Sequence, residues 1–184
     1  MQPLHQFVPY SVHLRQIEDN SFAYVTFVSS SEFVPAAATL MHSIAISGSQ
    51  YARAICITDD ISAKDRETLS LLGQLVLIDK IPSPRFIDNP RYRDTFTKLR
   101  IWQLAMFKRI LYIDTDVIVA RNMDDLFDVH EWGVPMDAEQ GRYSTGLMVC
   151  DPNLETFDDM MEKLKASTTS MELPDLPNQQ SFVG

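Results

Sequence analysis

The sequence predicts an α/β sandwich with a mostly parallel central sheet, and three observations carry that expectation. Short apolar runs rich in β-forming residues recur at 22–28 (FAYVTFV), 53–58 (RAICIT), 75–78 and 110–113. These runs are apolar almost throughout rather than alternating, as strands covered on both faces are. Stretches with helical signals separate them, and parallel neighbours need such crossovers.

Taken in order, FAYVTFV forms the first strand, and a helix runs from about Glu32 to Ile46, stopped by Gly48. RAICIT gives the second strand. Ile61 to Leu72 follows as a second helix, with Ser62 as its N-cap. Leu75 to Ile78 makes a short third strand. Pro82, Pro84 and Pro90 then rule out regular structure before a helix from about Thr95 to Phe107, whose apolar face comes mainly from Leu99, Trp102, Leu104 and Met106. The central strand lies in RILYIDTDVIV (109–119), with Val117 to Val119 continuing extended. Asp124 to Asp128 reads as one helical turn, and Trp132–Pro135 and Gly146–Cys150 as further strands. Asn153 caps a last helix to about Ala166, and a loop containing Pro174 and Pro177 leads to the final residues.

A chain of 184 residues, 45% hydrophobic, fits one globular domain. Residues 1–21 read as an N-terminal extension and 22–184 as the domain, with no internal repeat or linker. The ending NQQSFVG opens an apolar element without a cap, so the domain is expected to be incomplete at its C-terminus. No apolar run approaches the roughly 20 residues of a membrane span. The first residues lack the charged start and apolar centre of a secretory signal, which makes a cytoplasmic location the expectation. Cys56 and Cys150 lie in apolar runs and are expected as buried, reduced thiols.

The net charge of −9 is uneven. Residues 1–100 carry ten basic and ten acidic groups, and residues 101–184 carry six and fifteen. Without a basic stripe, such a chain is a poor nucleic-acid or anionic-membrane binder. The local exception is the cluster Arg85, Arg91, Arg93, Lys98 and Arg100, which either meets a nucleotide diphosphate or forms a solvated face.

Against this background the pair Asp114 and Asp116, flanking Thr115, is the most informative feature. It sits where the apolar run Ile110–Ile113 ends, and ligands bind beyond the carboxyl ends of parallel strands. Residues i and i+2 of an extended segment point the same way, so both carboxylates could converge on one hard cation, which could hold a diphosphate. A second chemistry competes: in a haloacid-dehalogenase-type phosphatase the first aspartate is the nucleophile and the second the acid/base. That reading fits less well, because the pair lies past the middle of the chain and Ile118 stands where a threonine is usual. With six glycines the chain has no Walker or dinucleotide-type phosphate loop, and its four histidines are scattered.

The order of segments resembles glycosyltransferase family 8, the glycogenin and galactinol synthase group, over about residues 22–184. The resemblance rests on AYVTFVSS, FTKLRIW, YIDTDVIVARNMDDLFD and STGLMVCDP. It implies a GT-A-type, Rossmann-like sandwich and a retaining transfer of a hexose from a UDP-sugar, with Mn²⁺ (or Mg²⁺) as the metal and a carbohydrate, polyol or protein as acceptor. It further implies that Phe27, Ser29, Ser30 and Phe33 hold the uridine and that Lys98 approaches the donor, with Arg91 or Arg93 as the preceding arginine. Asp114 and Asp116 match the metal-binding pair. Asp137 and the Ser144-Thr145-Gly146 step match positions lining the donor sugar, and Gln179 the glutamine near the reaction centre.

The chain departs from that pattern in three places. Ser144-Thr145-Gly146 stands where relatives often have Asn-Ser-Gly. Asn178-Gln179 replaces Asp-Gln, removing a negative charge near a sugar-like cation. The third metal ligand of the family, a histidine, would lie beyond residue 184. A truncated or degenerate domain without activity is therefore the alternative to an active transferase.

Overall fold

A computed structural model of the protein describes residues 22–83, 94–129, 133–137 and 141–169. The N-terminal extension 1–21, Arg85, Arg91, Arg93, Trp132, Asn178 and Gln179 lie outside these residues. The strands are β1 (Phe22–Val28), β2 (Ala52–Ile57), β3 (Gln74–Leu77), β4 (Arg109–Ile113), β5 (Met136–Asp137), β6 (Arg142–Tyr143) and β7 (Leu147–Cys150). The helices are α1 (Val34–Ile46), α2 (Ala63–Ser70) and α3 (Leu154–Thr169). Five strands form one sheet in the order β3-β2-β1-β4-β7, while β5 and β6 make a separate antiparallel hairpin. All pairings in the large sheet are parallel except β4 with β7. The expected mostly parallel sandwich is the observed one.

Period-two alternation sorts each strand onto two layers. Ala23, Val25, Ile110 and Tyr112 face a layer formed by the 95–103 segment and α3, where Phe96, Leu99, Trp102, Phe157 and Met160 pack. Tyr24, Val28, Leu111 and Ile113 face α1, α2 and the Asp124–Asp128 turn through Leu40, Ile44, Leu69 and Phe127. Cys56 and Cys150 are free and buried on the first layer, and burial pushes the Cys56 thiol up to about 12, so neither is a reactive thiolate. Among the described residues no helix is long and apolar enough to cross a membrane.

The expected caps are present. The Ser62 hydroxyl accepts from the Asp65 N–H, and the Asn153 side chain accepts from the Thr156 N–H at 3.1 Å. Three local expectations are corrected. Thr95 to Phe107 is not an α-helix: Thr95–Gln103 is a 3-10 helix, and turns fill the residues before β4. A three-residue period stacks Phe96, Leu99 and Trp102 into the core on one row, and Thr95 and Lys98 on the next. That arrangement also fixes Thr97, whose hydroxyl accepts from the Ile81 N–H inside the core. The strand expected at 132–135 is displaced: Gly133 makes an isolated bridge to Val149, and the chain pairs as a strand only at Met136–Asp137. Val117–Val119 joins no strand; the Val119 N–H instead donates to the Ser43 hydroxyl on α1 at 3.0 Å.

β1 leads through α1 to β2 on one side, whereas β4 lies on its other side. The reversal opens a crevice between the carboxyl ends of β1 and β4, where open α/β sheets bind ligands.

Candidate functional site

Because β1 ends at Val28 and β4 at Ile113, the next residues of both strands project into this crevice. They bound a cavity of about 520 Å³. Among its walls are Phe27, Ser29, Ser30, Phe33, Lys98, Asp114 and Thr115, all expected at a donor site, so residues from three distant segments meet there. Tyr112, Glu32, Asp94 and Thr95 complete the lining. Phe27 is half-buried against the core, whereas Phe33 is 44% exposed.

Ser30 heads the short 3-10 turn Ser31–Phe33 with extended backbone, the usual geometry of a capping serine, yet its side chain makes no capping bond. Its hydroxyl is buried and, among the described residues, has no hydrogen-bond partner. A buried polar group without a partner is uncommon and calls for an explanation.

The other end of the cavity is charged. Lys98 is only 8% exposed, so it is no solvated helix cation. Its ammonium lies 2.8 Å from Asp114 Oδ1 and 3.1 Å from Oδ2, donates to the Thr145 carbonyl at 3.2 Å, and stands 5.0 Å from the centre of the Tyr112 ring. The Tyr112 hydroxyl donates to Asp114 Oδ1 at 2.6 Å. Burial first, and then the charge and hydrogen bond of Asp114, push the Tyr112 phenol far above its ordinary range, so it remains a proton-bearing donor.

The segment before β7 closes this end. The Asp114 N–H donates to the Gly146 carbonyl at 2.8 Å, and a β-carbon on Gly146 would lie 3.4 Å from Asp114 Oδ2. Gly146 thus leaves open the space in front of that oxygen. Ser144 is exposed, and its hydroxyl accepts from the Gly146 N–H at 3.4 Å.

The aspartate pair departs from the expected geometry. Residues 114–117 form a turn, with the Val117 N–H donating to the Asp114 carbonyl at 3.3 Å, so the two carboxylates do not follow strand alternation. Asp114 is half-buried and ion-paired, whereas Asp116 is exposed on the rim and is not a wall of the cavity. Among the described residues no group of three or more His, Cys, Asp or Glu could hold a metal ion. Two carboxylates still fit part of an oxygen shell for a hard cation: Asp114 Oδ2 has the Lys98 ammonium at 3.1 Å but no side chain from Gly146 before it, and Asp116 faces solvent. Lys98 would share Asp114 with such an ion.

Asp137 lies in the β5–β6 hairpin, which is joined to the approach to β7 by the Ser144 N–H donating to the Pro135 carbonyl at 2.8 Å. Arg91 and Gln179, expected at the donor and the reaction centre, lie outside the described residues. Tyr112 is the residue that reading for motifs missed. Its place two before Asp114, on the same strand face, is the signal that could have found it.

Residues 24–136 match the family described as "Glycosyl transferase family 8". Inositol phosphorylceramide glucuronosyltransferase 1 of Arabidopsis thaliana is 29% identical over 90% of this chain and 32% of its own length. UDP-glucuronate:xylan alpha-glucuronosyltransferase 1 of the same plant is 32% identical over 77% and 22%. Glycogenin of Neurospora crassa is 31% identical over 75% and 21%. The chain therefore spans about a third or less of the length of these curated relatives. In structure it is similar to the galactosyltransferase LgtC, solved with donor and acceptor sugar analogues. The TM-score is 0.66 at 15% identity, covering 88% of this chain and 69% of that one. The glycosyltransferase GlyE of Streptococcus pneumoniae gives 0.61 at 19% identity, covering 90% and 42%. Nothing in these likenesses supports the phosphatase alternative. With sheet order, crevice and sequence in agreement, the chain belongs to glycosyl transferase family 8 and has the GT-A fold.

Proposed function

We propose that this domain transfers a hexose from a UDP-sugar to an acceptor hydroxyl, using a divalent cation and retaining the anomeric configuration. The observation that supports this reading most is the cavity itself, which joins an aromatic, hydroxyl-lined end to a charged end. A nucleoside diphosphate has the same two-part character.

Phe27 and Phe33 would offer apolar faces to the base, and Ser29 and Ser30 hydroxyls to the base or ribose. Lys98 would support the diphosphate or the sugar. Asp114 and Asp116 would hold Mn²⁺ or Mg²⁺, with diphosphate oxygens and water completing its shell. Bound there, the cation would offset negative charge gathering on the departing diphosphate. Thr115, Ser144, Gly146 and Asp137 would border the donor, and Arg91 and Gln179 take the roles implied by the family. The departing phosphate could guide the acceptor onto the face it leaves, so the mechanism needs no protein nucleophile. The acceptor is a carbohydrate, polyol or protein hydroxyl.

Thermal unfolding tests the reading. Ligands that bind only the folded state stabilise it by mass action, by about 2.7 kcal/mol at a hundredfold excess over Kd. Mn²⁺ and UDP together should raise the melting temperature of the wild-type protein and leave that of Asp116→Ala nearly unchanged. No shift in the wild type, or an equal shift in the variant, overturns it.

A further inference from the structure

We propose that Tyr112 is a positioning residue for cation binding: with Lys98 it keeps Oδ1 of Asp114 turned inward, so that Oδ2 alone meets an incoming metal ion. The inference rests on the functional reading above and concerns how this chain prepares one ligand atom.

The two oxygens of Asp114 have unequal surroundings. Oδ1 accepts the Tyr112 hydroxyl at 2.6 Å and has the Lys98 ammonium at 2.8 Å, which together engage both of its lone pairs. Oδ2 has Lys98 at the longer distance of 3.1 Å and faces the bare α-carbon of Gly146. An ammonium on a flexible stem would not fix a carboxylate rotamer by itself, since its three donors can follow the acceptor.

Tyr112 has no such freedom. It is 1% exposed, its backbone is in register with Val25 of β1 and Met148 of β7, and its side chain packs in the core. Its hydroxyl is therefore a fixed point, and turning Asp114 outward would strand a buried donor. Gly146 supplies the complementary half by leaving space in front of the other oxygen. Its φ is not in the left-handed region, so what the position needs is the missing side chain rather than a glycine-only conformation. Partners of this kind orient metal ligands from behind, and their loss typically weakens metal binding by about 10–100-fold.

Titration with Mn²⁺ alone, reading free ion by electron paramagnetic resonance well below the melting temperature, tests the proposal. Tyr112→Phe keeps the ring and removes the fixed donor, and it should raise the Kd by about tenfold. A merely structural tyrosine would change the melting temperature and leave the Kd alone. Gly146→Ala keeps every ligand and Tyr112 but crowds Oδ2, and it should weaken Mn²⁺ several-fold; this variant decides the matter if Tyr112→Phe does not fold. An unchanged Kd in either folded variant, with the wild type binding normally, overturns this inference and leaves the transferase reading intact. Absence of Mn²⁺ binding by the wild type, when the titration is repeated with UDP present, overturns both.

Discussion

Two tyrosine–aspartate hydrogen bonds lie on opposite layers of this sheet, and one of them borders the cavity between β1 and β4. On the α1 side Tyr24 donates to Asp124 at 2.7 Å; on the α3 side Tyr112 donates to Asp114 at 2.6 Å. Asp124 is otherwise held by neutral donors, Ser49 on one oxygen and Asn122 on the other. The network fastens the loop before Phe127 to β1 and to the segment entering β2. Asp114 receives a cation instead, and its second oxygen looks onto the space left by Gly146. The same residue pair is a fastening where the other donors to its aspartate are neutral. It becomes a candidate site where a charge and an opening accompany it.

The largest effect on stability should follow from breaking the Tyr24–Asp124 pair. Asp124→Ala leaves the Tyr24 hydroxyl and Ser49 without their shared acceptor, and urea unfolding should show a loss of about 1–3 kcal/mol. Binding of Mn²⁺ and UDP by the remaining folded protein should be unchanged. A loss of binding comparable to that of Asp116→Ala would erase the distinction between the two pairs.

A smaller effect should appear with pH. Burial disfavours charge on Asp124, but hydrogen bonds from Ser49, Tyr24 and Asn122 outweigh it and hold the carboxyl below its ordinary value. A carboxyl lowered in the folded state adds stability above its unfolded pKa of about 3.9, and that contribution disappears as pH falls through the folded value. Asp151, held low by the Arg109 hydrogen bond against burial, acts in the same direction. Stability should therefore fall with acidification below about pH 4, and more gently in Asp124→Asn than in the wild type. Equal slopes in denaturant melts across that range would show that the network does not favour the ionised form.

The smallest effect on stability, and the sharpest contrast, belongs to Ser30. Among the described residues its hydroxyl has no partner to lose, so Ser30→Ala should leave stability unchanged or raise it by up to about 1 kcal/mol. UDP affinity, measured calorimetrically with Mn²⁺ present, should nevertheless fall by a factor of about 3–10, the worth of one hydrogen bond. A destabilised variant with undiminished affinity would make Ser30 a structural residue.

How legible the molecule is in its sequence depends on which force decides each element. Continuous apolar runs placed β1 to β4 within a residue or so, because a strand buried on both faces has few alternatives. Capping chemistry located the starts of α2 and α3 at Ser62 and Asn153 for an equally local reason. The 95–103 segment was misread because Leu99 and Trp102, three apart, suit a 3-10 row as well as an α-helical stripe, and only the packing around Thr97 and Lys98 chooses between them. The turn at Asp114 was hidden for a similar reason: β-forming residues resume at Val117, but nothing in DTDV discloses the Val117-to-Asp114 hydrogen bond that ends the strand. At the site, motif spacing singled out Asp114, whereas the role of Tyr112, two residues before it, and the burial of the Ser30 hydroxyl show only once the chain is packed.

The antiparallel partner of β4 has a kinetic consequence. Among the described residues β7 is the last strand of the sheet in chain order, and residues 114–146 must be made before it can pair. Until then the edge of β4 offers unpaired backbone groups to any passing chain, which is the setting in which nascent sheets aggregate. Docking of residues 147–150 both seals that edge and brings Gly146 against Asp114, so protection from misassembly and completion of the rim arrive in one folding step.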